Sequence, residues 1–98
     1  MNEYMVTIRF INSPTEEFFS LIPEQRAQVN TLMEKGVLTS YSLSFDRSTL
    51  WLTILGASEE TVKKTLRMMP LYKFMEFSII ELMFHNHLVQ APMRFSMN

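Results

Sequence analysis

The sequence has no cysteine, only two glycines and no surplus of basic residues among its 98 positions. Without cysteine, disulfide bonds, thiolate zinc sites and cysteine nucleophiles are excluded. Two glycines are too few for a phosphate-binding loop, and no spacing suggests a Ser-His-Asp arrangement, so we predict neither cofactor nor metal. Nine basic and ten acidic residues give a net charge of −1, which argues against a nucleic-acid partner.

Long apolar runs are also missing, since no segment approaches the roughly 18–20 uninterrupted apolar residues of a membrane-spanning helix. The first ten residues, MNEYMVTIRF, lack the basic start and apolar core of a signal peptide. We therefore expect a cytoplasmic protein without membrane contact. The length fits one domain, which we place at residues 1–85, followed by a tail at residues 86–98 that can reach a partner subunit.

Four segments alternate between the two sides of a β-strand and are rich in β-branched and aromatic residues. The predicted strands are residues 4–11, 37–47, 50–55 and 77–84. The second and third are joined at the polar turn Asp46-Arg47-Ser48-Thr49, which predicts a hairpin.

The first helical region begins with the capping-box pair Ser13 and Glu16, with Pro14 in the first helical position. Because Pro23 interrupts the pattern, we predict a short helix to about residue 21 and a main helix over residues 23–35. Gly36 is the expected stop signal.

A second helix follows the hairpin and is expected to begin at the N-cap Ser58. Its apolar side consists of Val62, Leu66 and Met69. Pro70 has no backbone N–H and disfavours a helical residue before it, so the helix must end there. The order β-α-β-β-α-β predicts an α+β, ferredoxin-like domain: a four-stranded antiparallel sheet with both helices on one face.

Both faces of strands one and four contain apolar residues, although the helices can cover only one face. We expect one face to carry Val6, Ile8, Phe10, Ile80, Leu82 and Phe84, and the other Met5, Ile11, Phe77, Ile79 and Met83. At about 25 cal/mol per Å² of buried apolar surface, covering the bare face would contribute several kcal/mol. We therefore expect a homodimer formed through the sheet faces.

Several short motifs are similar to those of a known group of proteins. They are Gly36-Val37-Leu38 after a helix, Leu50-Trp51-Leu52, Ser58-Glu59-Glu60 and, above all, MPLYKFM at residues 69–75 before an Ile-rich strand. Over residues 4–85 the chain resembles the muconolactone isomerase-like family of the dimeric α/β barrel superfamily. The resemblance implies a subunit whose sheet packs on a second sheet in a dimeric barrel that can assemble into rings. It also implies a proton shift in a small unsaturated lactone or acid, without metal or organic cofactor.

Arg9 and Glu81 are the first candidates for such chemistry, since strands one and four are expected to be antiparallel neighbours. A carboxylate on a mostly apolar face can act as a proton-transfer base, and an arginine can hold a substrate carboxylate. The simpler interpretation is a cross-strand ion pair in the dimer interface. His85 follows the fourth strand, where the family often carries a histidine, and it is the second candidate base, with an ordinary surface or interface residue as the simpler interpretation.

Tyr41, Trp51 and Tyr72 are candidates for lining a pocket between sheet and helices, with core or interface packing as the simpler interpretation. Arg26 on the main helix suits an anionic ligand at a pocket rim, although a solvent-facing position is the simpler interpretation. The expected ligand is small and either apolar or a carboxylate.

Two other functions stay open at this level. One is a non-catalytic module for small-molecule binding or assembly; the other is a cofactor-independent monooxygenase acting on a polycyclic aromatic compound. The size and lining of the pocket would discriminate among the three functions.

Overall fold

The chain folds in the order β-α-β-β-α-β, in a computed structural model that describes residues 1–11 and 14–86. The strands lie in the order β2-β3-β1-β4, and all neighbouring strands are antiparallel. This confirms the predicted ferredoxin-like α+β fold. The elements are β1 (Asn2–Phe10), α1 (Glu16–Glu34), β2 (Leu38–Leu43), β3 (Thr49–Gly56), α2 (Glu59–Arg67) and β4 (Met75–Leu82), with a 3-10 turn at Tyr72–Phe74.

Both helices cover the same side of the sheet, which we call the helix face. The core lies between them and the sheet, and α2 contributes Val62 and Leu66, with Met69 just beyond it, as predicted. Neither helix in the described part of the chain is long and apolar enough to cross a membrane. The fully buried core residues of the sheet are Val6, Ile8, Leu38, Leu50, Leu52 and Ile54.

Within residues 1–11 and 14–86 no helix lies on the opposite side of the sheet, and we call that side the open face. Residues that lie opposite one another on neighbouring strands point to the same face, so the register defines its members. They are Glu3, Met5, Thr7, Arg9, Ser40, Ser42, Thr49, Trp51, Thr53, Leu55, Glu76, Ser78, Ile80 and Leu82.

The predicted grouping of apolar residues in strands one and four is wrong. In the register, Val6 lies opposite Ile79 on the helix face, and Met5 lies opposite Ile80 on the open face. The sequence pattern could not decide this, because a shift of one residue exchanges the faces of a strand that is apolar on both sides.

The first helix begins later than predicted and is not divided. Thr15 rather than Ser13 is the N-cap, and its Oγ1 accepts the Phe18 N–H at 3.1 Å. Pro23 lies inside one continuous helix of 19 residues. A proline removes one backbone hydrogen bond, and the packing of the helix against the sheet offsets that loss. Gly36 follows with a φ of 74°, the conformation for which a glycine is suited after a helix.

The loop between β2 and β3 is one residue longer than the predicted turn and begins two residues earlier in the chain. β2 ends at Leu43 instead of residue 47, and a hydrogen bond from the Ser44 N–H to the Thr49 carbonyl at 2.8 Å closes the turn. Ser58 caps α2 as predicted, its Oγ accepting the Thr61 N–H at 3.3 Å. Beyond residue 86, the predicted tail lies outside the residues that the structure describes.

Candidate functional site

A cavity of about 650 Å³ lies on the helix face, between the first half of α1 and the β2–β3 hairpin. It is found at the end of the sheet where β1 finishes, next to Phe10 and Leu43. Pockets of a few hundred to about 1,000 Å³ are the usual size for small organic ligands. Its apolar walls are Phe10, Phe18, Phe19, Ile22, Leu43 and Leu71, and its polar groups belong to Gln25, Arg26, Tyr41, Asp46, Arg47 and Ser48.

Helix α1 supplies the longest wall because its residues recur on one side of the helix. Phe18, Ile22 and Gln25 are four and three residues apart, the spacing that places side chains in one row. The Phe18 ring meets Phe10 edge-on at 5.4 Å between centroids and Phe74 at 5.2 Å. These contacts fix the aromatic end of the cavity, so a flat apolar ligand would find a preformed surface there.

Tyr41 of β2 faces the same cavity from the sheet. Burial raises the pKa of its phenol above the ordinary value of 10.0, and the nearby Arg26 charge offsets part of that rise. The hydroxyl is therefore neutral at pH 7 and able to donate a hydrogen bond.

The hairpin turn forms the third side and is organised around Asp46. The Ser48 N–H lies 3.0 Å from Asp46 Oδ1, and the Ser44 and Ser48 hydroxyls each donate to it at 2.7 Å. These bonds, the Ser48 N–H first, lower the pKa of Asp46 from 3.8 to about 2. Arg47 follows with a φ of 66°, in the left-handed region that few residues other than glycine adopt.

Two arginines, Arg26 and Arg47, thus line a mostly apolar cavity. Within residues 1–11 and 14–86 neither forms a salt bridge, since the ion pairs of this part of the chain involve other cations. The carboxylate of Asp46 is occupied by the two serines. The charges along the rim are two positive and one negative, which favours an anionic ligand.

Of the predicted pocket residues, Tyr41 lines the cavity, and so does Arg26. Trp51 does not, because it lies on the open face with 40% of its surface exposed. Tyr72 does not line it either. Its ring packs against Phe77 at 6.0 Å between centroids, beside β4.

Within one subunit, Arg9 and Glu81 are not the cross-strand neighbours that the sequence suggested, and their pairing between subunits stays a prediction. Arg9 lies opposite Glu76, and its Nη1 is 3.8 Å from Glu76 Oε1 on the open face. Glu81 lies opposite Tyr4, five residues along β4 from Glu76, and accepts a hydrogen bond from Asn2 Nδ2 at 2.8 Å. Five residues of strand correspond to about 17 Å, so the two side chains cannot meet in one subunit.

The two candidate bases lie away from the cavity. His85 is half-buried, three residues beyond the end of β4, and like Glu81 it belongs to the end of the sheet where β1 begins. Their catalytic roles stay predictions. In the described part of the chain, no group of three or more His, Cys, Asp or Glu side chains is arranged to hold a metal ion.

Sequence reasoning missed Gln25, Phe18, Phe19, Asp46 and Arg47 as cavity residues. The spacing of Phe18, Ile22 and Gln25 was a usable signal for one wall of the cavity. These residues form one row along α1 when the helix continues through Pro23, whereas the sequence pattern predicted a helix boundary there. For the turn residues, the serines on both sides of Asp46 were the available sign of an ordered loop.

No protein-family model matches the chain, and no curated protein matches its sequence. Among solved structures, the chain is similar to the crystal structure of a muconolactone isomerase, with a TM-score of 0.70 and 14% sequence identity. The similarity covers 91% of this chain and 96% of that one. At this identity the likeness establishes the fold, and it carries no residue roles.

Proposed function

We propose that the protein binds a small, flat, largely apolar carboxylic acid in the cavity between α1 and the β2–β3 hairpin. The observation that carries this proposal is the pair of arginines, Arg26 and Arg47, at a mostly apolar cavity, where neither has a carboxylate partner among the residues that the structure describes. A guanidinium group binds a carboxylate through two parallel hydrogen bonds. Phe18 and Phe19 then contact the apolar body of the ligand.

The acid–base character of the cavity favours binding over proton transfer. Asp46, with a pKa of about 2, is a weak base, and Tyr41, with its raised pKa, holds its proton at neutral pH. A base that works near pH 7 needs a pKa close to that value. We therefore rank the non-catalytic binding module first.

Calorimetric titration with phenylacetate tests the proposal, with phenylacetamide as the neutral probe of the same shape. Wild-type protein should bind phenylacetate at least about tenfold more tightly, since hydrogen bonds to charged groups contribute about 1.5–3 kcal/mol. Arg26→Met should remove that preference. Arg67→Met is the control, because Arg67 pairs with Glu60 on α2, away from the cavity. Equal affinity for both probes in the wild type would refute an anion site.

A second candidate function is the proton-shift isomerisation of a small unsaturated lactone or acid. The structural similarity to muconolactone isomerase favours it. The base must then be Asp46, which lies in the cavity, or else Glu81 or His85. The last two lie at the other end of the sheet, so a second subunit would have to bring one of them to this cavity. The test is turnover of an unsaturated lactone acid by the wild type and by Glu81→Gln, His85→Ala and Asp46→Asn. Activity that persists in all three variants would exclude these residues as the base. Absence of turnover in the wild type would contradict isomerisation and leave only the binding proposal.

We also propose that the protein is a homodimer formed through the open faces. The support is the apolar part of this face, which includes Met5, Trp51 and Ile80, together with the likeness to the isomerase fold. The cytoplasmic location remains a prediction from the N-terminal sequence.

A further inference from the structure

Gln25 is a buried polar side chain in the wall of the cavity. Only 3% of its surface is exposed, although residues 24 and 26 on either side of it are exposed. Its Oε1 accepts the backbone N–H of Leu71 at 3.1 Å, and its Nε2 lies 3.5 Å from the Sδ of Met69. The amide thus ties α1 to the segment that follows α2.

The contact with Leu71 fixes which end of the amide is which. A backbone N–H can only donate, so the side-chain atom facing it must be the oxygen, and the NH₂ group points away from it. That NH₂ group carries two hydrogens, whereas its partner in the described residues is one thioether sulfur, a weak acceptor. One N–H of a buried amide is therefore left without a strong acceptor, which is costly unless something else supplies one.

We infer that Gln25 donates this N–H to a neutral acceptor of the bound molecule, such as a carbonyl oxygen, and so selects acids that carry one. The inference rests on the proposed function, because it assumes a carboxylic acid in this cavity. A charged oxygen belongs at the two guanidinium groups of the rim, since burying it against a neutral amide would cost more desolvation. The neutral oxygen is the group suited to the interior.

The ligand class is thus a flat acid with a second, uncharged oxygen. Its carboxylate meets Arg26, its apolar body lies along Phe18 and Ile22, and its carbonyl reaches Gln25. A site built to hydrogen-bond a ligand atom discriminates against an analogue without it, because the buried donor is then left unpaired.

Pairs of substituted benzoates of nearly equal shape test this inference by calorimetry. The probes are 3- and 4-acetylbenzoate, each compared with the isopropylbenzoate of the same substitution pattern, in which a methyl group replaces the carbonyl oxygen. In at least one pair the wild type should favour the acetyl compound by about tenfold. The 3- and 4-substituted compounds hold the carboxylate and the carbonyl at two different distances, so that one of them can match the distance from the arginines at the rim to Gln25.

Two variants identify the cause of any preference. Gln25→Met should bind the acetyl and isopropyl compounds equally, and Arg26→Met should weaken both by the same factor while the preference persists. Because Gln25→Met also removes the acceptor of the Leu71 N–H, its circular dichroism spectrum and melting curve are recorded to establish that it is folded.

The possible results separate the two proposals. Binding of both members of each pair with equal affinity to the wild type would overturn the role of Gln25 and leave the carboxylate site intact. A preference that persists in folded Gln25→Met would overturn it as well. No binding of any benzoate would overturn the proposed function, and the inference would fall with it.

Discussion

At the scale of single residues, Asp46 gives the hairpin turn a dependence on pH. Its pKa in the folded protein is about 2, against 3.8 for the free group, because Ser48 and Ser44 donate hydrogen bonds to the ionised form. A lowered folded-state pKa means that the carboxylate stabilises the fold above about pH 4. That contribution is lost as the pH falls from about 4 toward 2, where the folded form takes up the proton.

We expect Asp46→Asn to melt at a lower temperature than wild type at pH 6, and the difference to shrink as the pH falls toward 2. Melting curves recorded at intervals over that range measure it. Glu24→Gln is the matched control, since Glu24 is an exposed helix carboxylate for which the described residues provide no hydrogen bond or salt bridge. A difference that does not change with pH would mean that the ionised carboxylate does not hold the turn.

Arg47 combines backbone strain with a proposed ligand contact, and substitutions can separate the two. A left-handed conformation costs a residue other than glycine about 1 kcal/mol, part of which glycine returns through its greater freedom in the unfolded chain. We expect Arg47→Gly to raise the free energy of unfolding by about 0.5 kcal/mol and to weaken phenylacetate binding. Arg47→Ala should weaken binding equally without the gain in stability. Denaturant titrations and calorimetry of the two variants check this, and unchanged affinity in both would remove Arg47 from the site.

The sequence indicated part of the site at this scale. Tyr41 and Arg26 were among the candidates because an aromatic residue in a strand and an arginine on a helix are familiar pocket groups, although packing and solvent exposure were the simpler interpretations. Gln25 continues the row of Phe18 and Ile22, but its residue type did not indicate burial, since a glutamine in a helix is usually exposed. Its burial accompanies a contact with Leu71, 46 residues away. Contacts of that kind depend on how the second half of the chain packs, which local patterns do not specify.

At the scale of elements, the start of α1 depends on a cap that competing signals obscured. Ser13, Pro14 and Glu16 fit a capping box, yet the Phe18 N–H bonds to Thr15. We expect Thr15→Ala to lower the free energy of unfolding by about 1 kcal/mol, the usual value for an N-cap. Thr31→Ala, at an exposed position inside the same helix, should leave it unchanged or slightly higher, because alanine has the better helix propensity. Denaturant unfolding of both variants measures the contrast, and equal effects would contradict the role of Thr15.

The existence and order of the elements could be predicted, whereas their ends could not. Alternation and helical spacing are local properties, and they identified all four strands and both helical regions. The end of β2 at Leu43 and the continuity of α1 through Pro23 depend on hydrogen bonds in the turn and on packing against the sheet. The register of β4 against β1 likewise depends on contacts between segments far apart in the sequence.

At the scale of the whole molecule, the open face is less apolar than the sequence suggests. The register brings hydroxyl groups to it, and Thr53 is fully buried among them, with Thr39 Oγ1 and Ser40 Oγ each 2.6 Å from its Oγ1. Glu3 accepts a further hydrogen bond from Thr39. These polar groups satisfy one another, so a second sheet could cover this face without leaving them unpaired.

The apolar members of the open face are the reason to expect a dimer. Trp51 is 40% exposed and Ile80 62% exposed, and they lie on β3 and β4 with β1 between them. A tryptophan at the centre of an interface often accounts for 2 kcal/mol or more of binding, which corresponds to roughly 30-fold or more in the dissociation constant. A lysine in its place would also bury a charge against the partner.

Sedimentation equilibrium at micromolar concentration should therefore give a dimer for wild type and a folded monomer for Trp51→Lys or Ile80→Lys. Met68→Lys is the control. Met68 is 62% exposed but follows α2, which covers the other side of the sheet, so this variant should remain dimeric. Circular dichroism spectra of all four proteins establish that dissociation is not unfolding. A stable wild-type monomer at these concentrations would show that the open face needs no second copy, and a dimer broken by Met68→Lys alone would place the interface on the helices.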